Sequence, residues 1–255
     1  FGPVNVLEFY ATTEGNAILA NVAGKKIGSC GRPLPGSAEV RIAAWDVEAG
    51  EPVYLASGYV REAEAGETGM LLARVERERG ALVGRPLRNV FARDDAWAAS
   101  GSLFRVDRDG DHWLVDAVGD LVRTAEGFVG TTAIEEALGE LPFVSAAAAY
   151  GVALRRGGPE VPVAAVMSRK RREFDVEALG RAVLERLEAR SRPRMVRIVA
   201  DLPVTAGYRI LKRPLRAAGV PKEELGRGKA WLWDEEAGRY VKATAAGLAR
   251  LRRRG

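Results

Sequence analysis

One cysteine and one histidine stand among 255 residues, and each scarcity excludes some chemistry. Cys30 has no second cysteine for an intrachain disulfide, which points to a reducing, intracellular setting. With His112 also alone, a zinc site built from several Cys and His ligands cannot be assembled. A nucleophilic triad would have to use His112 as its base, yet His112 sits among hairpin residues with no third group set to orient it. No apolar run reaches the roughly 18 residues of a membrane helix, and the richest, Phe143 to Leu154, is shorter. Phe1-Gly2-Pro3 is not a basic stretch followed by an apolar core, so no secretory leader is expected. A phosphate loop of the G-x-x-x-x-G-K-S/T type is missing, as is a G-x-G-x-x-G fingerprint. Internal repeats and low-complexity tracts are missing as well.

What is there suits a folded chain: 47% apolar and 29% charged residues give enough apolar surface for a core. Length suggests one or two domains at roughly 100–200 residues each. The net charge of +5 is unevenly spread. Residues 1–120 carry an acidic excess; residues 121–255 are basic, with Arg169-Lys170-Arg171-Arg172 and the tail Arg250, Arg252, Arg253, Arg254. Two regions with different electrostatic roles are expected. An arginine-rich composition on solvated faces explains the basic half without a specific nucleic-acid partner; an anionic membrane surface is the weaker alternative. The expected location is cytoplasmic, with peripheral membrane contact as its variant.

The first half reads as β-rich. Pro3 to Phe9 is a short apolar run, Val40, Ile42 and Ala44 alternate with their neighbours, and Met70 to Val75 is a further strand candidate. Gly31-Arg32-Pro33-Leu34-Pro35-Gly36 punctuates these pieces. Leu103–Val106 and His112–Val115 flank Arg108-Asp109-Gly110-Asp111, whose Asp-Gly supplies a tight hairpin turn. Asp107, Asp109 and Asp111 alternate as in a calcium loop, but His112 and Val118 stand where that loop needs Gly and a bidentate Glu. Short strands with frequent turns predict a barrel-like or sandwich unit. The second half reads as α/β. Thr132-Ala133-Ile134-Glu135 fits a capping box for a helix ending at Gly139, and Glu135-Glu136 would be solvated on its surface. Phe143–Leu154, Val161–Met167 and Met195–Val199 are strand-like. Asp175 can cap a helix over 176–190 with Val176, Leu179, Val183, Leu184 and Leu187 on one face. Strand and helix alternate, as in a small sheet covered by helices.

Five short strings stand out in order: Glu8-Phe9-Tyr10-Ala11-Thr12-Thr13-Glu14-Gly15-Asn16; Gly28-Ser29-Cys30-Gly31-Arg32-Pro33; Ala99-Ser100-Gly101-Ser102-Leu103, followed by the hairpin and Val115-Asp116-Ala117-Val118-Gly119-Asp120; Phe128-Val129-Gly130-Thr131-Thr132-Ala133-Ile134-Glu135; and Leu202-Pro203-Val204-Thr205-Ala206-Gly207-Tyr208-Arg209. Together they resemble the C-terminal part of the adenylate-forming acyl-CoA synthetase superfamily, in particular its very-long-chain acyl-CoA synthetase, or fatty-acid transport protein, branch. The resemblance implies a mixed α/β fold: a β-barrel-like subdomain of the adenylation domain over residues 1–117, then a small swinging α/β domain over 118–255, with a hinge at Val118, Gly119 and Asp120. It implies an ATP-dependent fatty acid–CoA ligase with Mg²⁺, ATP, CoA and a fatty acid as ligands, completed by an upstream half on a separate chain or protein partner. Tyr10 would lie beside the adenine, Thr13 would meet a phosphate, and Glu14 would hold Mg²⁺.

Departures from the family pattern fall on the nucleotide contacts. The family's Thr-Gly-Asp, whose Asp accepts the ribose hydroxyls, is Ser100-Gly101-Ser102; a hydroxyl lacks the charge and bidentate reach of a carboxylate. The Asp-Arg before the hinge is Asp116-Ala117. The catalytic Lys position near the C-terminus is Arg209, with Lys212 three residues on as a candidate substitute. Thr124-Ala125-Glu126-Gly127 lacks the family's Lys-Gly. Two expectations follow: an impaired ligase that depends on its upstream half, or a degenerate adenylate-forming fold that acts as a binding or protein-interaction module.

Overall fold

The computed structural model describes residues 7–12, 17–75, 85–169, 174–206, 209–221 and 224–254. The chain divides into two compact units, Phe1–Gly119 and Asp120–Gly255.

Unit 1 is built of antiparallel strands. β1 (Phe9–Ala11), β2 (Ile18–Ala20) and β3 (Arg32–Pro33) form one sheet. The second sheet contains β4 (Val40–Asp46), β5 (Glu51–Pro52), β6 (Thr68–Arg74), β7 (Leu87–Arg88) and β8 (Ala96–Val106), in the order β5-β4-β6-β8-β7, with β9 (His112–Ala117) also paired to β8. Both sheets are open, so the barrel-like unit does not close on itself. The strand expected over Pro3–Phe9 falls mostly outside the described residues; β1 starts at Phe9. Ile42, Leu71, Ala73 and Phe104 from the large sheet meet Ala17 and Leu19 of the small one in a common core. Two glycines permit close backbone approach. A Cβ on Gly31 would stand 2.1 Å from the Ala20 carbonyl oxygen, and one on Gly69 2.2 Å from that of Ala43. Gly31 also holds φ +76°, open to glycine at little cost.

Unit 2 is a five-stranded sheet in chain order: β12 (Val144–Ala153), β13 (Glu160–Ser168), β14 (Met195–Val199), β15 (Ala230–Asp234) and β16 (Arg239–Lys242), after a small β10 (Val122–Thr124)–β11 (Gly127–Val129) hairpin. Only β13 and β14 run parallel, joined across α2 (Val176–Arg186). Helices cover both faces. Ala149, Ala164 and Val196 face Ile134 and Leu138 of α1 (Thr132–Gly139) and Leu179 and Val183 of α2. Ala148, Val163 and Met195 face Leu215 of α3 (Lys212–Ala218) and Leu251 of α4 (Ala245–Arg254). Alternate residues of each strand thus enter opposite cores, which explains why β12 and β13 read as unbroken apolar runs. Asp175 caps α2, accepting from the Glu177 and Ala178 amides at 2.9 Å.

Three local expectations need correction. The capping box at Thr132 does not form: Thr131 occupies the N-cap in a helical conformation, without a side-chain cap bond. Glu135 instead accepts the Ala149 amide at 2.8 Å and an ion pair, so it is not a free surface carboxylate. Leu184, placed on the apolar face of α2, is 40% exposed, because the helix ends at Arg186 and a 3₁₀ turn, Ala189–Ser191, redirects the chain. Among the described residues no helix is long and apolar enough to cross a membrane.

Candidate functional site

Unit 1 carries the nucleotide-side candidates. Tyr10 lies on β1 opposite Leu19, half-buried, its ring edge-on to Phe104 with centroids 4.8 Å apart. Thr13 and Glu14 lie outside the described residues. Ser102 lies on β8 and pairs in register with Ala117 on β9. The two positions that the resemblance assigns to an Asp and an Arg are therefore opposite each other in one ladder, and they are Ser and Ala. Gly101, with φ +72°, turns the strand beside them, and the Ser100 hydroxyl accepts the Ser102 amide at 3.1 Å. Asp116 is buried, and its carboxylate accepts the Ala117 amide at 2.8 Å.

The Asp107–Asp109–Asp111 cluster has its cation already, which the sequence did not reveal. Lys26 Nζ lies 2.7, 2.8 and 2.8 Å from the three carboxylates. The Lys26 ammonium, through its hydrogen bond to Asp107, holds that carboxyl well below the usual range; the same contacts hold the ammonium protonated far above its ordinary value. Arg32 adds a contact to Asp111 at 3.2 Å. The loop is closed with an ammonium where a calcium loop would hold its metal. His112 serves the same junction: it is buried, its Nδ1 lies 3.1 Å from the Gly31 carbonyl, and burial pushes its pKa below the ordinary value. This is a core histidine, not a triad base.

Unit 2 carries the remaining candidates. Arg209 is exposed on a short loop clipped shut by three hydrogen bonds: Thr205 amide to Arg209 carbonyl at 2.8 Å, Arg209 amide to Thr205 hydroxyl at 3.1 Å, and Leu211 amide to Pro203 carbonyl at 2.7 Å. Among the described residues no carboxylate pairs with its guanidinium. Lys212 is the opposite case. It begins α3, its side chain is 9% exposed, and Nζ reaches the Thr131 hydroxyl at 2.5 Å, Glu135 Oε1 at 2.9 Å and Asp120 Oδ2 at 3.6 Å. One turn on, Arg216 Nη2 donates to the carbonyls of Asp120 and Leu121 at 2.8 and 3.0 Å. The Val118–Asp120 segment is a 3₁₀ turn without buried residues, and the compact units divide after Gly119. The role of Arg216 went unread; its spacing of four from Lys212, which puts both on one helix face, was the available signal.

A buried ion pair lies apart from these groups. Arg197 makes two 2.7 Å bonds to the Glu224 carboxylate and one of 2.7 Å to the Tyr150 hydroxyl. All these partners are satisfied, and the group joins β12, β14 and the segment after α3.

A helix-covered sheet thus follows a β-rich unit along the chain. Residues 133–207 match the family described as AMP-binding enzyme C-terminal domain. The chain is 33% identical over 224 residues to the medium/long-chain-fatty-acid–CoA ligase FadD6 of Mycobacterium tuberculosis, covering 85% of this chain and 37% of that protein. It is 30% identical over 257 residues to the long-chain fatty acid transport protein 2 of Rattus norvegicus, covering 96% and 41%. The crystal structure of ATP-bound MatB from Rhodopseudomonas palustris superposes with a TM-score of 0.62 at 25% identity, over 84% of this chain and 40% of that one. The chain is thus a relative of the adenylate-forming acyl-CoA ligases and corresponds to their C-terminal part. It spans about two fifths of the length of the relatives it matches.

Proposed function

We propose that this chain supplies the swinging domain and the last adenylation subdomain of a fatty acid–CoA ligase, working with an upstream half. In the reaction of this class, a fatty-acid carboxylate oxygen attacks the α-phosphorus of ATP, releasing pyrophosphate and forming an acyl-adenylate. The CoA thiol, losing its proton, then attacks the acyl carbon and AMP leaves. The observation that carries the reading is the contrast between two cations three residues apart. Lys212 is enclosed by Thr131, Glu135 and Asp120, whereas Arg209 is held on a clipped loop with its guanidinium exposed. Arg209 is the group free to meet the carboxylate and α-phosphate; Lys212 is not its substitute. A guanidinium keeps the charge but spreads it over a planar fork, so the step is slowed rather than abolished.

On the nucleotide side, Tyr10 would lie along the adenine and Ser102 would offer one hydroxyl to the ribose. Mg²⁺ would be held by Glu14 through oxygen, as this hard cation prefers; the Asp107–Asp109–Asp111 cluster does not fit it, being filled by Lys26. When bound, Mg²⁺ would offset charge on the ATP phosphates. Exposed Phe9 and Ile18, at 65% and 37%, leave the small sheet of unit 1 with apolar surface for an upstream half to cover. A cytoplasmic site of action fits the expected ligands.

The test is fatty-acid-dependent pyrophosphate release by this chain mixed with the upstream region of a fatty acid–CoA ligase. Slow release is expected, faster in Arg209→Lys and lost in Arg209→Ala, since a transition-state contact is commonly worth about 10²–10³ in rate. Release unaffected by Arg209→Ala overturns the assignment. A second reading, binding without turnover, is favoured by the Ser102–Ala117 pair, which lacks both charged nucleotide contacts. It predicts no release even from Arg209→Lys.

A further inference from the structure

Two segments of unit 2, far apart in sequence, bring their arginines together. Arg155 and Arg156 stand at the tip between β12 and β13; Arg250, Arg252 and Arg253 stand on α4. Arg155 Nε donates to the Arg252 carbonyl at 2.7 Å, and its Nη2 to the Arg253 carbonyl at 3.2 Å. A cation thereby sits at the carbonyl end of the α4 dipole, and that end is pinned to the tip. The rest of α4 is seated closely. Leu248 is buried, Leu251 packs into the core beneath, and a Cβ on Gly247 would stand 2.9 Å from Leu232 Cδ1. At about 100° per residue these three define the inner side of the helix. Arg253 then lies opposite that side, with Arg250 and Arg252 on the two flanks.

All five arginines are exposed, and among the described residues none of them pairs with a carboxylate. By contrast, Arg61, Arg74, Arg186 and Arg197 pair with Glu67, Glu39, Glu140 and Glu224. Arg250 shares a cleft with Glu126, Glu160 and the Asp234–Glu236 turn. There Glu235 pairs with Arg194, Asp234 accepts the Glu236 and Ala237 amides, and Glu160 accepts the Arg123 amide.

We propose that this surface of unit 2 adsorbs to an anionic phospholipid bilayer. The guanidiniums of Arg156, Arg250, Arg252 and Arg253 meet headgroup phosphates, which their planar forks match, while Arg155 holds the two segments together. The seating of α4 favours a bilayer over a nucleic acid: the helix lies against its sheet with its end pinned, so it offers a side to a broad charged surface and does not enter a groove. Among the described residues none of the large exposed apolar side chains lies on α4 or on the tip, so contact is by charge without insertion. Its strength follows the number of arginines, each worth roughly fivefold in partitioning, and is screened by salt.

Cosedimentation of the full chain with phosphatidylglycerol–phosphatidylcholine vesicles tests this, with pure phosphatidylcholine vesicles and a duplex oligonucleotide as the other arms. It needs neither ATP nor an upstream half, so its outcome is separable from that of the ligase reading. The expected result is binding to the anionic vesicles at low salt that is lost at high salt and absent from pure phosphatidylcholine. Arg253→Gln weakens it roughly fivefold, and Arg253→Gln with Arg156→Gln roughly 25-fold, at an unchanged melting midpoint. Arg253→Lys, which keeps the charge, keeps the binding. Arg181→Gln removes the same charge from α2, which covers the opposite face of the sheet, and leaves binding unchanged. Equal weakening by Arg181→Gln overturns the proposal, because net charge alone would then explain adsorption. So does a lack of binding to the anionic vesicles at low salt, or salt-resistant binding to pure phosphatidylcholine. Tighter binding to the duplex than to the anionic vesicles overturns it in favour of a nucleic acid.

Discussion

Lys26 and Lys212 each give their ammonium to a set of acceptors far off in sequence, and both roles follow from the compactness of that charge. Removing Lys26 leaves three carboxylates in mutual contact. Lys26→Met is expected to melt lower than the parent chain at pH 7. The wild-type contacts hold Asp107 and Asp111 below their ordinary value of 3.8, so they stabilise above that pH and the benefit fades as pH falls through it. In Lys26→Met the sign reverses: protonation relieves repulsion, so the deficit shrinks as pH falls toward about 4. Melting curves at pH 7 and pH 4 check this. His112 shifts stability in the same sense as the wild-type carboxylates, over a higher pH range. Burial lowers its pKa below 6.5, so the unfolded chain binds the proton first, and stability falls as pH drops below that value. His112→Gln should flatten the slope of stability against pH between about 6.5 and 5, as read by denaturant melts. Neither group was fully legible beforehand. Asp107, Asp109 and Asp111 were visible as a cluster, and Lys26 is the cation that stands among them. The cation that closes it comes from 81 residues away, a separation no local pattern carries.

Elements were legible in proportion to how strongly local chemistry agreed with burial. Asp175 is a strong N-cap signal, and its two 2.9 Å bonds to the α2 amides deliver it. Asp175→Ala should cost about 1 kcal/mol, seen as a lower midpoint with an unchanged denaturant slope. Thr132 and Glu135 gave an equally clear signal, but the Glu135 carboxylate goes to Lys212 and the Ala149 amide of β12 instead of the helix's own first turn. β15, β16 and α4 were not read at all. Trp231-Leu232-Trp233 is too short to show a period, and the arginines of α4 mask Leu248 and Leu251, the residues that bury its inner face. The buried Arg197–Glu224–Tyr150 group was equally silent, since its members are 27 and 47 residues apart. Arg197→Met should cost about 3–5 kcal/mol by leaving the Glu224 carboxylate without its cation, measurable by chemical denaturation. Replacing Glu224 by Gln at the same time should recover part of that loss.

At the scale of the whole molecule, the departures from the family resemblance fall on the β8–β9 ladder of unit 1 and, in unit 2, on the β10–β11 turn and the Arg209 loop. Ser102 and Ala117 face each other on β8 and β9, and Arg209 stands exposed in unit 2. The scaffold is intact around them: Gly31 still fits against Ala20, and the hairpin turn is still closed. On the proposed reading, such a pattern belongs to a nucleotide site weakened in charge while its frame is kept. Calorimetric titration with a non-hydrolysable fatty acyl-adenylate mimic, on this chain together with an upstream ligase half, measures that directly. Weak binding is expected, and Ser102→Asp should tighten it about tenfold or more, the worth of one charge-assisted hydrogen bond to the ribose. Heat that comes from the upstream half alone, or an affinity indifferent to Ser102→Asp with both proteins folded, would show that this chain no longer forms a nucleotide site.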